Sequence, residues 1–214
     1  MRSESEAPRT LRLAVLISGS GSNLQALIDA IEGGHLPGVE IALVVSNKAN
    51  AYGIQRALQH KLPVLYLPWR QRSAWENKLH ELVQLFAIDL IVLAGFMRIL
   101  SAEFIEKYPR QIINLHPALI PDGGEGETYT TSDGTVIPVF RGMHAPRQAL
   151  EAKVSVTGST VHYVIPAVDA GPPICRREVL VAADDTEESL QERIKLVEHE
   201  LIVEAIKEHM RQTR

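Results

Sequence analysis

Apolar positions fall along this chain in two rhythms, and their alternation lays out a fold. Leu11 to Ile17 is apolar except for Arg12, the pattern of a strand covered on both faces. The turn Ser18–Asn23, reading SGSGSN, follows at once and opens an amphipathic helix predicted from about Leu24 to Glu32, with Gly33 and Gly34 ending it. Ile41 to Ser46 reads as a second buried strand, Ala51 to His60 as a second helix, and Pro63 to Leu67 as a third strand. Trp75, Leu79, Leu82, Val83 and Phe86 recur at helical spacing and predict a long helix over Ser73 to Phe86. Ile88 to Ala94 is the most apolar run and predicts a central strand. Four alternations of strand and helix with short connections imply a doubly wound, mostly parallel α/β sheet.

The rhythm changes after Gly95. A short helix is expected over Ala102 to Lys107, and RQIINLHP, residues 110–117, is the fifth strand. Residues 122–139 are rich in glycine and poor in apolar side chains. Within them, Thr128–Ser132 and Thr135–Val139 flank Asp133-Gly134, the mark of a hairpin with a two-residue turn. A helix is expected over Met143 to Ala152. Val154 to Ile165 alternates apolar and polar residues, predicting a half-exposed strand, and Ile174 to Val181 another. Thr186 caps a last long helix, with Glu188 in its first turn, running to about Met210. No repeat or linker divides the chain.

The 214 residues are 45% hydrophobic and 22% charged, which fits one domain with a sizeable core. A formal net charge of −4, with no basic stripe, argues against a nucleic acid as partner. Cys175 is the single cysteine, so an internal disulfide framework and a multi-cysteine zinc site are excluded. One unpaired thiol fits a reducing cytoplasm. Residues 1–10 are polar, lack the apolar stretch of a signal peptide, and are expected to be a flexible tail. No run of 18 apolar residues exists, so no membrane span is expected.

Three places carry candidate chemistry. Asn114 and His116 are two apart on a strand, so their side chains share a face, and Pro117 then forces the chain out of the ladder. An amide that donates to a developing oxyanion, beside an imidazole that moves a proton, suits acyl-type transfer. Two polar residues satisfying backbone groups at a strand end would look the same. The SGSGSN turn offers Gly21, Ser22 and Asn23 to an anion at a helix N-terminus. It lacks the third glycine and the ribose-binding acid of a dinucleotide site, and the Lys-Ser/Thr of a P-loop; a plain capped turn is the alternative. Asp169, between the two late strands, would hold His116 in its charged form if near it; an Asx turn is the other reading. His144 and His162 read as a helix-start and a strand-face residue. Eight histidines without paired short spacings give no metal site.

Five stretches in order, VLISGSGSNLQALIDA, VSNKANAYGIQRA, DLIVLAGFMRILS, IINLHPALIP and STVHYVIPAVDAGPPI, resemble the folate-dependent glycinamide ribonucleotide formyltransferases of purine biosynthesis. The resemblance runs from Leu11 to the last helix, outside the insert. It implies a Rossmann-like single domain over 11–214, its N-terminal half binding the phosphate and its C-terminal half the folate and the catalytic groups. By position, it implies Asn114, His116 and Asp169 as the catalytic trio. Gly21, Ser22, Asn23 and Glu198 would hold the phosphate and ribose of glycinamide ribonucleotide. Arg72, Met97, Arg98, Ile99, Leu100, Val164, Ile165 and Val168 would line the site of 10-formyltetrahydrofolate, the co-substrate. The implied reaction is attack of the substrate amine on the formyl carbon. Asn114 and protonated His116 are expected to stabilise the oxyanion, each such donor being worth roughly 3–4 kcal/mol. Asp169 would hold His116 charged while a water carries the proton, with no metal and no covalent enzyme intermediate. A monomer or homodimer is expected.

Two departures stand out. The insert at 122–139 replaces a connection of a residue or two, and is expected to form a lid or a subunit contact. Ala170 stands where glycine is usual, costing about 1 kcal/mol if that position needs positive φ. Competing readings are formyltetrahydrofolate hydrolase, or a formyltransferase for an amino sugar or initiator tRNA. The hydrolase and the tRNA enzyme are expected to carry an added domain for which 214 residues leave no room. A non-catalytic folate- or nucleotide-binding protein is a further alternative.

Overall fold

The computed structural model describes residues 9–213. Most of the expected tail therefore lies outside the described residues; Arg9 and Thr10 lead into the first strand, with Arg9 donating to Asp89 at 2.6 Å. The elements in chain order are β1 (Leu11–Ile17), α1 (Ser22–Glu32), β2 (Val39–Ser46), α2 (Tyr52–Gln59), β3 (Val64–Tyr66), α3 (Arg72–Leu85), β4 (Leu90–Leu93), α4 (Ala102–Glu106) and β5 (Ile112–His116). There follow β6 (Thr128–Thr130), β7 (Val136–Pro138), α5 (Ala145–Glu151), β8 (Val156–Tyr163), β9 (Pro173–Leu180) and α6 (Glu187–Gln212). Seven strands form one sheet in the order β3-β2-β1-β4-β5-β8-β9. The first five are parallel, while β8 and β9 run antiparallel to their neighbours.

Alternate residues of the central strands feed two apolar layers. Leu13, Val15 and Ile17 of β1 pack with Leu24 and Leu27 of α1 and with Leu201, Ile202 and Ile206 of α6. Ala14 and Leu16 face the other way, onto Trp75, Leu79 and Val83 of α3 and Phe104 of α4. Burial on both faces is why these strands read as continuous apolar runs. The chain leaves β1 to one side and returns to β4 on the other, so a crevice opens at their carboxyl ends, where sheets of this kind hold ligands.

The structure corrects three expectations. β8 is buried along its whole length, although its alternation predicts a half-exposed strand. Its polar residues face the returning segment after β5: Ser159 Oγ donates to His116 O at 3.0 Å and Thr160 Oγ1 to Ala118 O at 2.8 Å. The hairpin turn has three residues, not two. Gly134 N donates to Thr131 O at 2.9 Å and Gly134 alone takes positive φ, 89°, whereas a two-residue type I′ turn needs positive φ twice. Asp133 instead spends its carboxylate on Thr131 Oγ1 and Thr135 N. Finally, α5 begins at Ala145 rather than Met143, because His144 takes a left-handed conformation, φ 65°. The Thr186 cap of α6 stands; its reciprocal partner is Ser189.

Leu16 is fully buried between β1 and α3. Leu16→Ala is expected to lower unfolding free energy by about 2–5 kcal/mol in a urea titration, with little change in slope.

Candidate active site

A cavity of about 800 Å³ opens along the carboxyl ends of β1, β4 and β5 and reaches the turn after β8. At one end lies the turn between β1 and α1. Gly21 has φ 69°, and a Cβ there would come 2.6 Å from Gly53 Cα, so both conformation and space demand glycine. No side chain caps α1, which leaves its first N–H groups free to meet an anion. Gly21, Ser22 and Asn23 all line the cavity. Asn23 Nδ2 donates to Glu198 Oε2 at 3.0 Å, tying α1 to α6, while Asn23 Oδ1 is buried without a partner. Burial pushes the Glu198 pKa up, and the Asn23 hydrogen bond offsets part of that rise. Lys48 and Lys195 line the same cavity and were not anticipated. Lys195 was legible in principle: it stands three residues before Glu198, on the same helix face.

In the middle, the strand spacing brings Asn114 and His116 to one side as expected, and both line the cavity with Asp169. His116 is 3% exposed; its Nδ1 lies 3.4 Å from Asp169 Oδ2 and its Nε2 is 2.7 Å from Phe140 O. A carbonyl only accepts, so Nε2 carries a proton. Asn114 Nδ2 lies 3.2 Å from His162 Nε2 and donates to Asp169 Oδ1 at 3.3 Å. His162 in turn has Nδ1 2.9 Å from Tyr163 O, which leaves its Nε2 free to accept. His162, read from sequence as a strand-face residue, thus belongs to the constellation. The pairing of β8 with β5 sets His162 opposite Asn114, a register that only the folded sheet establishes.

Asp169 sits in the left-handed region, φ 48°, and accepts from Gly142 N at Oδ2, 2.8 Å. Burial alone would raise its pKa, but the His162 and His116 rings and the Gly142 N–H prevail and hold it at about 2. Asp169 and the Phe140 carbonyl both raise the His116 pKa, while burial acts in the opposite direction and prevails, lowering it from its ordinary value.

The far end is apolar. Met97, Ile99 and Val168 line the cavity yet stay exposed, while Leu100 is buried beneath them. Ser18 Oγ accepts from Met97 N at 2.8 Å and donates to Asn47 Oδ1 at 2.6 Å, which fixes this segment to β1 and β2. Trp69, Trp75 and Phe96 pack ring on ring below it, and Arg98 lies over Trp69 at 5.6 Å. Arg72, at the start of α3, and Val164 and Ile165, after β8, complete the lining. Ala170 does not take positive φ, so the feared strain there is absent; it falls on Asp169 instead.

Residues 11–126 and 133–206 match the formyl transferase family. The chain is 37% identical over 192 residues to the phosphoribosylglycinamide formyltransferase of Escherichia coli strain K12, covering 88% of this chain and 82% of that protein. The chain belongs to the phosphoribosylglycinamide formyltransferase family. Another member of that family, glycinamide ribonucleotide transformylase 1 from Symbiobacterium toebii, has a crystal structure that matches with a TM-score of 0.81 at 38% identity, over 94% of this chain and 87% of that one. The trifunctional purine biosynthetic protein adenosine-3 of Bos taurus is 40% identical over 203 residues; the chain spans 18% of that longer relative. The break in the family match at 127–132 falls inside the insert.

None of residues 122–139 lines the cavity. The insert's hairpin folds back onto β9, where Glu178 accepts from Ser132 N at 2.7 Å and Ser132 Oγ at 2.6 Å. Gly21→Ala is expected to cost about 1–3 kcal/mol of stability in thermal or urea unfolding, from a left-handed alanine and its clash with Gly53.

Proposed function

We propose that this chain transfers a formyl group from 10-formyltetrahydrofolate to the amine of glycinamide ribonucleotide, in purine biosynthesis. The observation that carries this reading is the convergence of Asn114, His116 and Asp169 between the glycine turn that opens α1 and an apolar recess. Gly21, Ser22 and Asn23 would hold the substrate phosphate, with Lys48 and Lys195 adding positive charge, and Glu198 would accept from the ribose hydroxyls. The exposed apolar side chains of Met97, Ile99 and Val168 fit a flat aromatic ligand, and Leu100, Val164 and Ile165 would support it. Arg72 and Arg98 would meet the anionic tail of the folate, which supplies the formyl carbon when bound. We read residues 11–214 as one formyltransferase domain. It would act in a reducing cytoplasm, as a monomer or homodimer.

The residues would divide the work as follows. Asn114 donates to the formyl oxygen as negative charge builds there; its present contacts of 3.2 and 3.3 Å are long, so releasing one costs about 1 kcal/mol or less. His116 starts neutral, with Nδ1 facing the carboxylate of Asp169. It takes up the proton released from the attacking amine, directly or through a water, and Asp169 stabilises the imidazolium as it forms. That proton then passes to N10 of the folate as the bond from the formyl carbon to N10 breaks and tetrahydrofolate leaves. The low pKa of Asp169 keeps it a carboxylate throughout the working range. His162 accepts from Asn114 and so orients its amide.

The direct test is an assay of formyl transfer from 10-formyltetrahydrofolate to glycinamide ribonucleotide. Asn114→Ala should lose roughly 10²–10³-fold in kcat, and His116→Ala or Asp169→Asn enzyme with near wild-type turnover would remove this mechanism. A pH titration of the His116 ring by NMR should give a pKa below the ordinary 6.5. Because Asp169 raises it, Asp169→Asn should move it lower still. A shift upwards in that variant contradicts the pairing.

A further inference from the structure

The three residues that leave the insert hold the candidate catalytic groups in place. Phe140 O accepts from His116 Nε2 at 2.7 Å, and Gly142 N donates to Asp169 Oδ2 at 2.8 Å. Between them, the Arg141 guanidinium donates through Nη1 to the backbone carbonyl of Asp169. Its Nη2 donates to Gly124 O at 3.0 Å and Gly126 O at 2.8 Å, both at the base of the insert. A guanidinium presents its donors in a rigid plane, so it fixes these three carbonyls relative to one another. The same base presses on the Asp169 turn directly. Gly124 has φ 85°, and a Cβ there would come 2.2 Å from Ala170 O and 2.4 Å from Gly171 O. Asp169 itself is left-handed, a conformation that costs a non-glycine residue about 1 kcal/mol or more and persists only where neighbours impose it.

We propose that Arg141 is a positioning residue for Asp169, and that the insert contributes to catalysis through its base, by carrying the Gly124 and Gly126 carbonyls against which Arg141 is braced. The carboxylate must face His116 Nδ1 and the Asn114 amide together, and both directions follow from the tilt of the Asp169 backbone. Holding the Asp169 carbonyl sets that tilt. The hairpin beyond is anchored on Glu178 and stands clear of the cavity. The inference rests on the role proposed above for Asp169.

The experiment compares steady-state kinetics of the full chain and Arg141→Ala for formyl transfer to glycinamide ribonucleotide, with folding checked by circular dichroism. A misaimed carboxylate should lower kcat roughly 10–100-fold. The KM for glycinamide ribonucleotide should stay within about twofold, because its proposed contacts lie at the other end of the cavity. Guanidinium ion at non-denaturing concentration should restore part of the lost rate. A folded Arg141→Ala enzyme with wild-type kcat, or with a raised KM and unchanged kcat, overturns the proposal. Should Arg141→Ala fail to fold, Arg141→Lys keeps the charge but cannot brace three carbonyls in one plane. It should lower kcat at least about fivefold at unchanged KM, and wild-type kinetics in that variant overturns the proposal equally. Wild-type chain without any formyl transfer is a separate result: it removes the reading of the site, not merely the role of Arg141.

Discussion

A carboxylate withdrawn from water is the constraint on which the rest of this site depends. Asp169 is largely buried and ionised, and such a charge persists only where donors and cations replace its hydration. Its partners come from elements far apart in the chain: Asn114 and His116 from β5, and Gly142 N from the segment after the insert. The antiparallel pairing of β5 with β8 puts Asn114 opposite His162, and the turn after β8 brings Asp169 back over both. Removing any one partner leaves the others facing an under-compensated charge, so the group behaves as a unit rather than as separate contacts.

The cavity draws its two unlike ends from the same sheet topology. Because the chain leaves β1 in one direction and enters β4 from the other, the turn after β1 and the turn after β4 diverge and leave a trough between them. The first turn opens a helix and so presents backbone N–H groups. The second carries Met97 to Leu100 over an aromatic floor and so presents apolar surface. Ser18 joins the two through hydrogen bonds to Asn47 and Met97, and a single hydroxyl thereby sets how far apart the polar and apolar ends stand.

The insert shows how a fold accepts extra chain at its working edge. Lengthening a surface connection adds little closure entropy, since the cost grows only logarithmically with loop length. The added residues then bring stability of their own: Ile137 is buried against Leu119 and Val156, and Tyr129 lies under Arg176. What distinguishes this insert from a passive one is where its base falls, against the backbone of the turn that carries Asp169.

Continuous apolar runs and helical spacing were enough to read the parallel sheet, its flanking helices and the glycine turn that opens α1, because these follow from short-range periodicity and the demands of glycine. The side shared by Asn114 and His116 was legible for the same reason. The burial of β8, the three-residue hairpin turn and the place of His162 and Arg141 were not, since each depends on a neighbour remote in the chain. His116 makes the division plain. Its position beside Asp169 was legible, but the extent to which burial opposes its charged form was not, because that is set by how much water the folded surroundings exclude, and no local pattern carries that quantity.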